Sequence, residues 1–406
     1  MLLAVSCHFH SCEANSVNKK ISLGLAISSM ALVAALTFIL TMSFSTKRFN
    51  QKVANIEQLS ETYGKLEELA ETVDAHFYKD ADDSAVLDGI MKGYIHGLDD
   101  RYSNYMNAED YTKSHESSAG TYTGIGITVT QTESGEARII EVAENSPAEE
   151  NGLKTDDLIV KVGDIIVAEQ YQEALDHVVG EAGTRVYLTV RKADTGREQT
   201  LSIQRRVIDE ITITYEMLEH NIGYIRITKF RTVTADQFHS ALTELRKSGA
   251  KAILFDVRNN GGGLLSVLEE MVDPLLPEGD IAYAYYKSDE QKVIVHSDKN
   301  MLELPFAVLM NGNTASAAEL FACSLRDYAD AILVGEKSYG KGIMQTTYPL
   351  SDGSAVTLTT ATYATGKTPC YHEIGLEPDV LSVYDESAEE DNQLHDAHQA
   401  LLKRIR

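Results

Sequence analysis

Basic residues are the first scarcity. Against 61 Asp and Glu the 406-residue chain carries 36 Lys and Arg, a formal net charge of −25. So acidic a surface repels phosphate backbones and excludes nucleic acid as a partner. Cysteine is scarce too: Cys7, Cys12, Cys323 and Cys370 include no C-x-x-C pair and no Cys/His ligand spacing. Neither zinc nor a disulfide framework is supported, and Cys323, within ELFACSL, reads as a small buried apolar residue. Internal repeats and low-complexity linkers are absent. So is the G-x-S-x-G of esterases, and none of the 12 His residues lies in a motif beside a candidate nucleophile. What remains is ordinary globular composition, 43% apolar and 24% charged, in a length suited to two or three domains. The acidic excess is densest near the C-terminus, in DESAEEDNQLHD, which reads as a solvated tail.

One stretch lacks charge altogether. Residues 21–44, ISLGLAISSMALVAALTFILTMSF, are long enough to span a hydrocarbon core of roughly 30 Å at about 1.5 Å per residue. Lys19 and Lys20 precede the stretch and Lys47 and Arg48 follow it, so the positive flanks barely orient it. No A-x-A cleavage site follows, and the run is long for a cleaved signal. The expectation is a single-pass membrane anchor, with a cleaved signal as the alternative.

Apolar spacing of three and four residues predicts helices between 50 and 112, among them SAVLDGIMKGYIHGL before the turn-rich DDRYSNYM. The character changes at 116–208, where short Val- and Ile-rich runs (GITVTQ, ARIIEVA, DLIVKVGDIIV, RVYLTVRK) read as strands beside the helix EQYQEALDHVVG. From 209 to 385 strands and helices alternate: IGYIRIT, TADQFHSALTELRKSG, AILFDVR, LLSVLEEMVDPLL, FAVLMN, SAAELFACSLRDY, AILVGE. That alternation predicts a parallel α/β sheet covered on both faces.

Ligands bind such sheets where strands end and helices begin, and two of these turns stand out. In FDVRNNGGGLL, three glycines let the backbone approach another group and point amides outward. In LMNGNTASAAEL, Ser316 falls where a helix begins, near unpaired N–H groups and the positive end of the helix dipole. A helix cap is the bland reading of that serine. A nucleophilic serine needs a base, and Lys341, in SYGKGIMQ with glycine on both sides, is the candidate. Its reference pKa of about 10.4 is too high for the task. Burial away from other charge can lower it by several units, and about 3 units cost about 4 kcal/mol. Gln345, four residues on, can orient the amine without adding charge. The amides of Gly262 and Ala317 suit an oxyanion hole.

Together these stretches, with IGLEPDV and GLDDRYSNYM, resemble the carboxyl-terminal processing peptidases, family S41, serine proteases with a Ser–Lys dyad. The resemblance covers roughly residues 50–385. It implies Ser316 as nucleophile, Lys341 as general base with Gln345 as its partner, and Gly262 and Ala317 as oxyanion donors. It implies no metal and no cofactor. The implied fold is an α/β core of the crotonase/ClpP-like kind at 209–385, with a PDZ domain inserted at 116–208. A helical region at 45–115 precedes them, an N-terminal tail occupies 1–20, and an acidic, helical tail at 386–406 follows. Within 116–208, YTGIGITV resembles the carboxylate-binding loop of PDZ domains, so amides at Ile125, Gly126 and Ile127 would grip a free C-terminus. Two positions depart from the family pattern: Gly261 stands where proline is common, and Val179 where an arginine is common before the glycine ending the PDZ helix.

The expected function is therefore a membrane-anchored endopeptidase, its catalytic domain extracytoplasmic. It would cleave proteins near C-terminal tails held by the PDZ domain, and a homodimer is possible through the 50–75 helix. The rivals are a catalytically silent PDZ scaffold that presents tails to a partner protease, and an esterase on the same core.

Overall fold

A computed structural model describes residues 23–298 and 300–405. The tail expected at 1–20, Cys7, Cys12 and the first two positions of the 21–44 span lie outside the described residues. Two compact units are present, divided between Val86 and Leu87. In the first, helix α1 (Leu23–His76) runs for 54 residues with no proline to interrupt it. Its segment Ile27–Arg48 has a mean hydropathy of 2.0 and no buried residue, so it is long and apolar enough to cross a membrane, as a signal sequence also is.

Helix α2 (Asp83–His96) ends at a turn that leads into the short strand β1 (Asn104–Met106) and helix α3 (Ala108–Ala119). Asn107 caps α3 through the Asp110 N–H, 2.9 Å, as its short polar side chain favours.

A module follows, made of β2 (Thr121–Gly124), β3 (Ile127–Gln131), β4 (Ala137–Val142), α4 (Pro147–Glu150), β5 (Leu158–Val162), β6 (Ile165–Ile166), α5 (Tyr171–Val178), β7 (Arg185–Arg191), β8 (Glu198–Gln204) and β9 (Arg206–Asp209). Five strands form an antiparallel sheet in the order β3-β4-β5-β7-β8, with β6 on β5. Alternate residues of these strands, Ile139, Ile159, Leu188 and Ile203, are fully buried, as period-two patterning requires. Strand β3 is an edge. The β2–β9 ribbon carries the chain into and out of the module.

The rest contains β10 (Ile213–Leu218), β11 (Ile222–Ile227), α6 (Thr232–Lys247), β12 (Ala252–Asp256), α7 (Leu265–Val272), β13 (Gly279–Tyr286), β14 (Gln291–Ser297), β15 (Phe306–Met310), α8 (Ala317–Ala329), β16 (Ile332–Gly335), β17 (Ile343–Pro349), β18 (Ala355–Thr365), β19 (Val380–Leu381) and α9 (Asn392–Leu402). Strands β11-β12-β15-β16-β19 are parallel neighbours, and β10 closes one edge antiparallel. AILFD and FAVLM, at the centre of that sheet, are buried at every residue, because both faces are covered. Ile253 and Phe255 pack with α6, α7 and α8 on one face; Ala252 and Leu254 pack with α9 on the other.

Two features differ from the sequence reading. A second, antiparallel sheet joins β1, β18, β13 and β14, with β17 on β18, where only a parallel sheet was expected. And the acidic C-terminal stretch is not simply a solvated tail. It runs into α9, whose Ala397 and Leu401 are fully buried. The cap residue Asp391 bonds to Arg258, 133 residues earlier in the chain, at 2.7 Å, so charge that reads as solvated serves in docking the helix.

Candidate active site

The two strand-to-helix turns singled out in the sequence are laced to each other. The Ala315 N–H donates to the Asn260 carbonyl (2.9 Å) and the Thr314 hydroxyl to the Val257 carbonyl (2.9 Å). Asn311 and Asn313 side-chain amides both donate to the Asn259 carboxamide oxygen, at 3.0 and 2.9 Å. The polar, small-residue composition of NGNTAS and NNGGG thus satisfies backbone at a place where no ladder can. Gly262 has φ +97, and a Cβ there would lie 2.8 Å from both the Ala317 nitrogen and the Ser316 Cβ. Only glycine permits that approach.

Ser316 caps α8 with φ 58 and ψ −123. That is rare for a residue with a side chain and characteristic of strained functional positions. Its N–H donates to the Glu319 carboxylate (2.9 Å). The same fully buried carboxylate accepts from the Ser338 hydroxyl (2.5 Å), the Gly340 N–H (2.7 Å) and the Lys341 N–H (2.8 Å). One side chain therefore fastens the serine turn to the lysine segment. Gly340, at φ +91, sits where a Cβ would be 2.8 Å from the Gly375 nitrogen, which ties IGLEPDV to the same spot.

Ser316, Lys341, Gln345, Gly262 and Tyr363 line one cavity of about 700 Å³. Burial pushes the Lys341 amine below its ordinary pKa, and the Arg101 guanidinium adds to that; Asp100 and Glu319 pull the other way. The amine makes no hydrogen bond to Ser316 among the described residues; it lies 4.5 Å from the centroid of the Tyr102 ring. Gln345 follows a bulge in the β17–β18 ladder, a device that re-aims side chains, and its amide donates to the Thr359 hydroxyl (3.1 Å). Tyr363, buried and held protonated by that burial, donates to the Lys341 carbonyl (2.6 Å).

The two candidate oxyanion amides differ. Ala317 opens α8, so its N–H has no intrahelical acceptor. The Gly262 N–H donates to the carboxamide oxygen of the buried Asn260 (2.8 Å). In the module, Ile125 and Gly126 are buried and Ile127 half-buried, at the entrance to edge strand β3. The Ile125 and Gly126 carbonyls are taken up by Ala148 and Ala143 N–H groups. Val179, exposed, ends α5; the helix-end carbonyls of His177 and Val178 accept from Arg205, at 2.6 and 2.9 Å.

Sequence reasoning passed over Glu319, although S-A-A-E, residues 316–319, has the spacing of a capping box. It also gave no task to Arg101, Tyr102 or Asn260, for which the spacing holds no signal: they reach the site only through the fold. Among the described residues no group of three or more His, Cys, Asp or Glu is placed to hold a metal ion.

Residues 221–382 match the model of peptidase family S41, residues 123–204 that of a PDZ domain, and residues 25–110 that of the activating protease CtpB N-terminal domain. The carboxy-terminal processing protease CtpA of Bacillus subtilis is 34% identical over 358 residues, 88% of this chain and 76% of the relative. A probable CtpA-like serine protease of Staphylococcus epidermidis is 29% identical over 370 residues, 90% and 74% of the two chains. Among solved structures, the photosystem II D1 C-terminal processing protease is 27% identical with a TM-score of 0.48, covering 82% of this chain and 90% of its own.

Proposed function

The chain belongs to the carboxyl-terminal processing peptidases of family S41, serine-type proteases with a PDZ domain, and from that premise we propose that Ser316 and Lys341 form a Ser–Lys dyad that cleaves proteins near their C-termini. The observation that carries the reading is the shared cavity, in which a half-buried lysine amine without a carboxylate partner lines the same wall as a strained serine. Ser316 attacks the scissile carbonyl while the neutral Lys341 amine, moving off the Tyr102 ring, accepts the hydroxyl proton. The Gln345 carboxamide oxygen orients that amine. The tetrahedral oxyanion rests on the Ala317 N–H and on the Gly262 N–H, which exchanges the Asn260 oxygen for that of the substrate. The protonated amine then passes its proton to the leaving nitrogen, and water hydrolyses the acyl-enzyme with Lys341 again as base.

The PDZ domain, taken as residues 116–208, binds the substrate tail as an added strand on the free edge of β3. The amides at Ile125, Gly126 and Ile127 take the terminal carboxylate. Ile127 and Val129 of β3 and Tyr171 and Leu175 of α5 stay partly exposed over one apolar core, so the tail is apolar. The catalytic core, 209–385, is of the crotonase/ClpP-like kind, the 50–75 helix of the helical region 45–115 provides a surface for a homodimer, and the tail is 386–406. The apolar helix anchors the enzyme with its catalytic domain outside the cytoplasm.

The test is Ser316→Ala. Membranes holding that variant should release none of the C-terminal fragments that wild-type membranes release, as read by mass spectrometry of the soluble peptides. An unchanged fragment pattern would instead make the chain a scaffold for another protease.

A further inference from the structure

The turn at 97–103, within GLDDRYSNYM, has no bond-making task in the reaction above, yet it is fastened to the strand that serves the site. The Asp100 carboxylate accepts from the Ser103 hydroxyl (2.6 Å) and the Tyr102 N–H (3.1 Å). The Ser103 oxygen in turn accepts the Thr359 N–H of β18 (3.1 Å), and the Thr359 hydroxyl is the acceptor of Gln345. Strand β1 continues the attachment by pairing with β18.

This anchoring presents the Tyr102 ring to two cations. The Lys341 amine lies 4.5 Å from the ring centroid and the Arg101 guanidinium carbon 4.7 Å. Arg101 also donates to the hydroxyls of Tyr102 and Tyr339, which fixes the ring's position. The carboxylates and most other charged or titratable groups around the amine are already engaged. Glu319 of α8 holds four donors, Asp100 holds its own turn, and the Tyr363 hydroxyl bonds the Lys341 carbonyl. Lys229, on the cavity wall, pairs with Glu210, and Arg231 stands on that wall as a further cation.

We propose that Tyr102 is a positioning residue for the Lys341 amine: its ring face is the seat that holds the amine in the cavity, and Arg101 fixes the ring. This rests on the Ser–Lys reading. A carboxylate seat would favour the protonated amine strongly and hold it there. A ring attracts the ammonium more weakly and lets the amine go to the Ser316 hydroxyl, while a second cation at the same ring opposes protonation.

The experiment measures hydrolysis, by the full chain, of an unstructured quenched-fluorescence peptide with an apolar C-terminus. Tyr102→Phe keeps the ring and should keep kcat within about threefold, whereas Tyr102→Leu should lose about tenfold or more in kcat with KM little changed, the pattern of a lost positioning contact. Arg101→Gln should move the pH midpoint of kcat/KM upward, because a charge that disfavours the ammonium is gone. Wild-type kcat in Tyr102→Leu, or equal impairment in Tyr102→Phe, overturns the seat. If Tyr102→Leu melts early, the Phe variant and the Arg101→Gln midpoint decide. Lys341→Ala is run beside them: an active Lys341→Ala sinks the dyad itself, while an inactive one with an unimpaired Tyr102→Leu sinks only the seat.

Discussion

A lysine serves as a base only after it has lost its proton, so the residue scale is governed by what surrounds one amine. Burial and Arg101 both favour the neutral form of Lys341. Activity should therefore rise with pH to a plateau, with a midpoint below the ordinary lysine value of about 10.4; a midpoint at or above that value contradicts the assignment. Lys341→Arg should reduce kcat by about a thousandfold or more, since a guanidinium does not deprotonate. The sign for stability follows from the same shift. The folded state binds fewer protons than the unfolded one between the two pKa values, so stability rises with pH across that window. Glu319 carries the opposite kind of demand. Its carboxylate holds four donors without exposure to water. Glu319→Gln, with one acceptor oxygen and a donating nitrogen, should lower unfolding free energy by about 2–4 kcal/mol in urea titration, and should slow the enzyme by misaligning both turns. Ser316 and Lys341, the proposed dyad, stood out in sequence because small residues flank them. Glu319 was not singled out, because one acid on an amphipathic helix looks like any other until its donors are seen.

At the scale of elements, legibility followed burial. Strands with both faces covered are unbroken apolar runs, and AILFD, FAVLM and ILVG announced themselves. The antiparallel sheet did not, because β17 and β18 mix buried, half-buried and exposed residues, so no unbroken apolar run marks them. The C-terminal tail reads in sequence as helical as well as acidic, and α9 lies in it; what the acidic run conceals is that its Asp391 meets Arg258. The element with the most direct functional test is β3. As a sheet edge it offers unpaired backbone to another strand, and the loop before it carries the amides proposed to meet a carboxylate. With the Ser316→Ala protein, so that nothing is cleaved, a labelled peptide with an apolar free C-terminus should bind by fluorescence anisotropy. The same peptide amidated at its C-terminus should bind about tenfold more weakly or worse, a loss of about 1.4 kcal/mol. Equal affinity for acid and amide would remove the carboxylate from the recognition.

On the scale of the whole molecule two properties oppose each other. A net charge of −25 drives the body of the protein away from an anionic bilayer, whose surface attracts basic segments and repels acidic ones. Adsorption through the surface is thus no route to the membrane, and the proposed attachment rests on the apolar part of α1 alone. Its 22 residues from Ile27 to Arg48, at about 1.5 Å each, give roughly 33 Å of helix, enough for a hydrocarbon core of about 30 Å. Such insertion depends on the hydrophobic effect, which salt does not weaken, whereas electrostatic adsorption is screened within about 3 Å in ~1 M salt. The full chain should therefore stay with the membrane fraction through a ~1 M salt wash and leave only in detergent. A chain starting at residue 49 should be soluble and still hydrolyse the free peptide. Release of the full chain by salt, or membrane retention of the shortened one, would place the attachment elsewhere. An N-terminus found by mass spectrometry just beyond residue 48 would make the helix a signal that is removed instead of an anchor that remains.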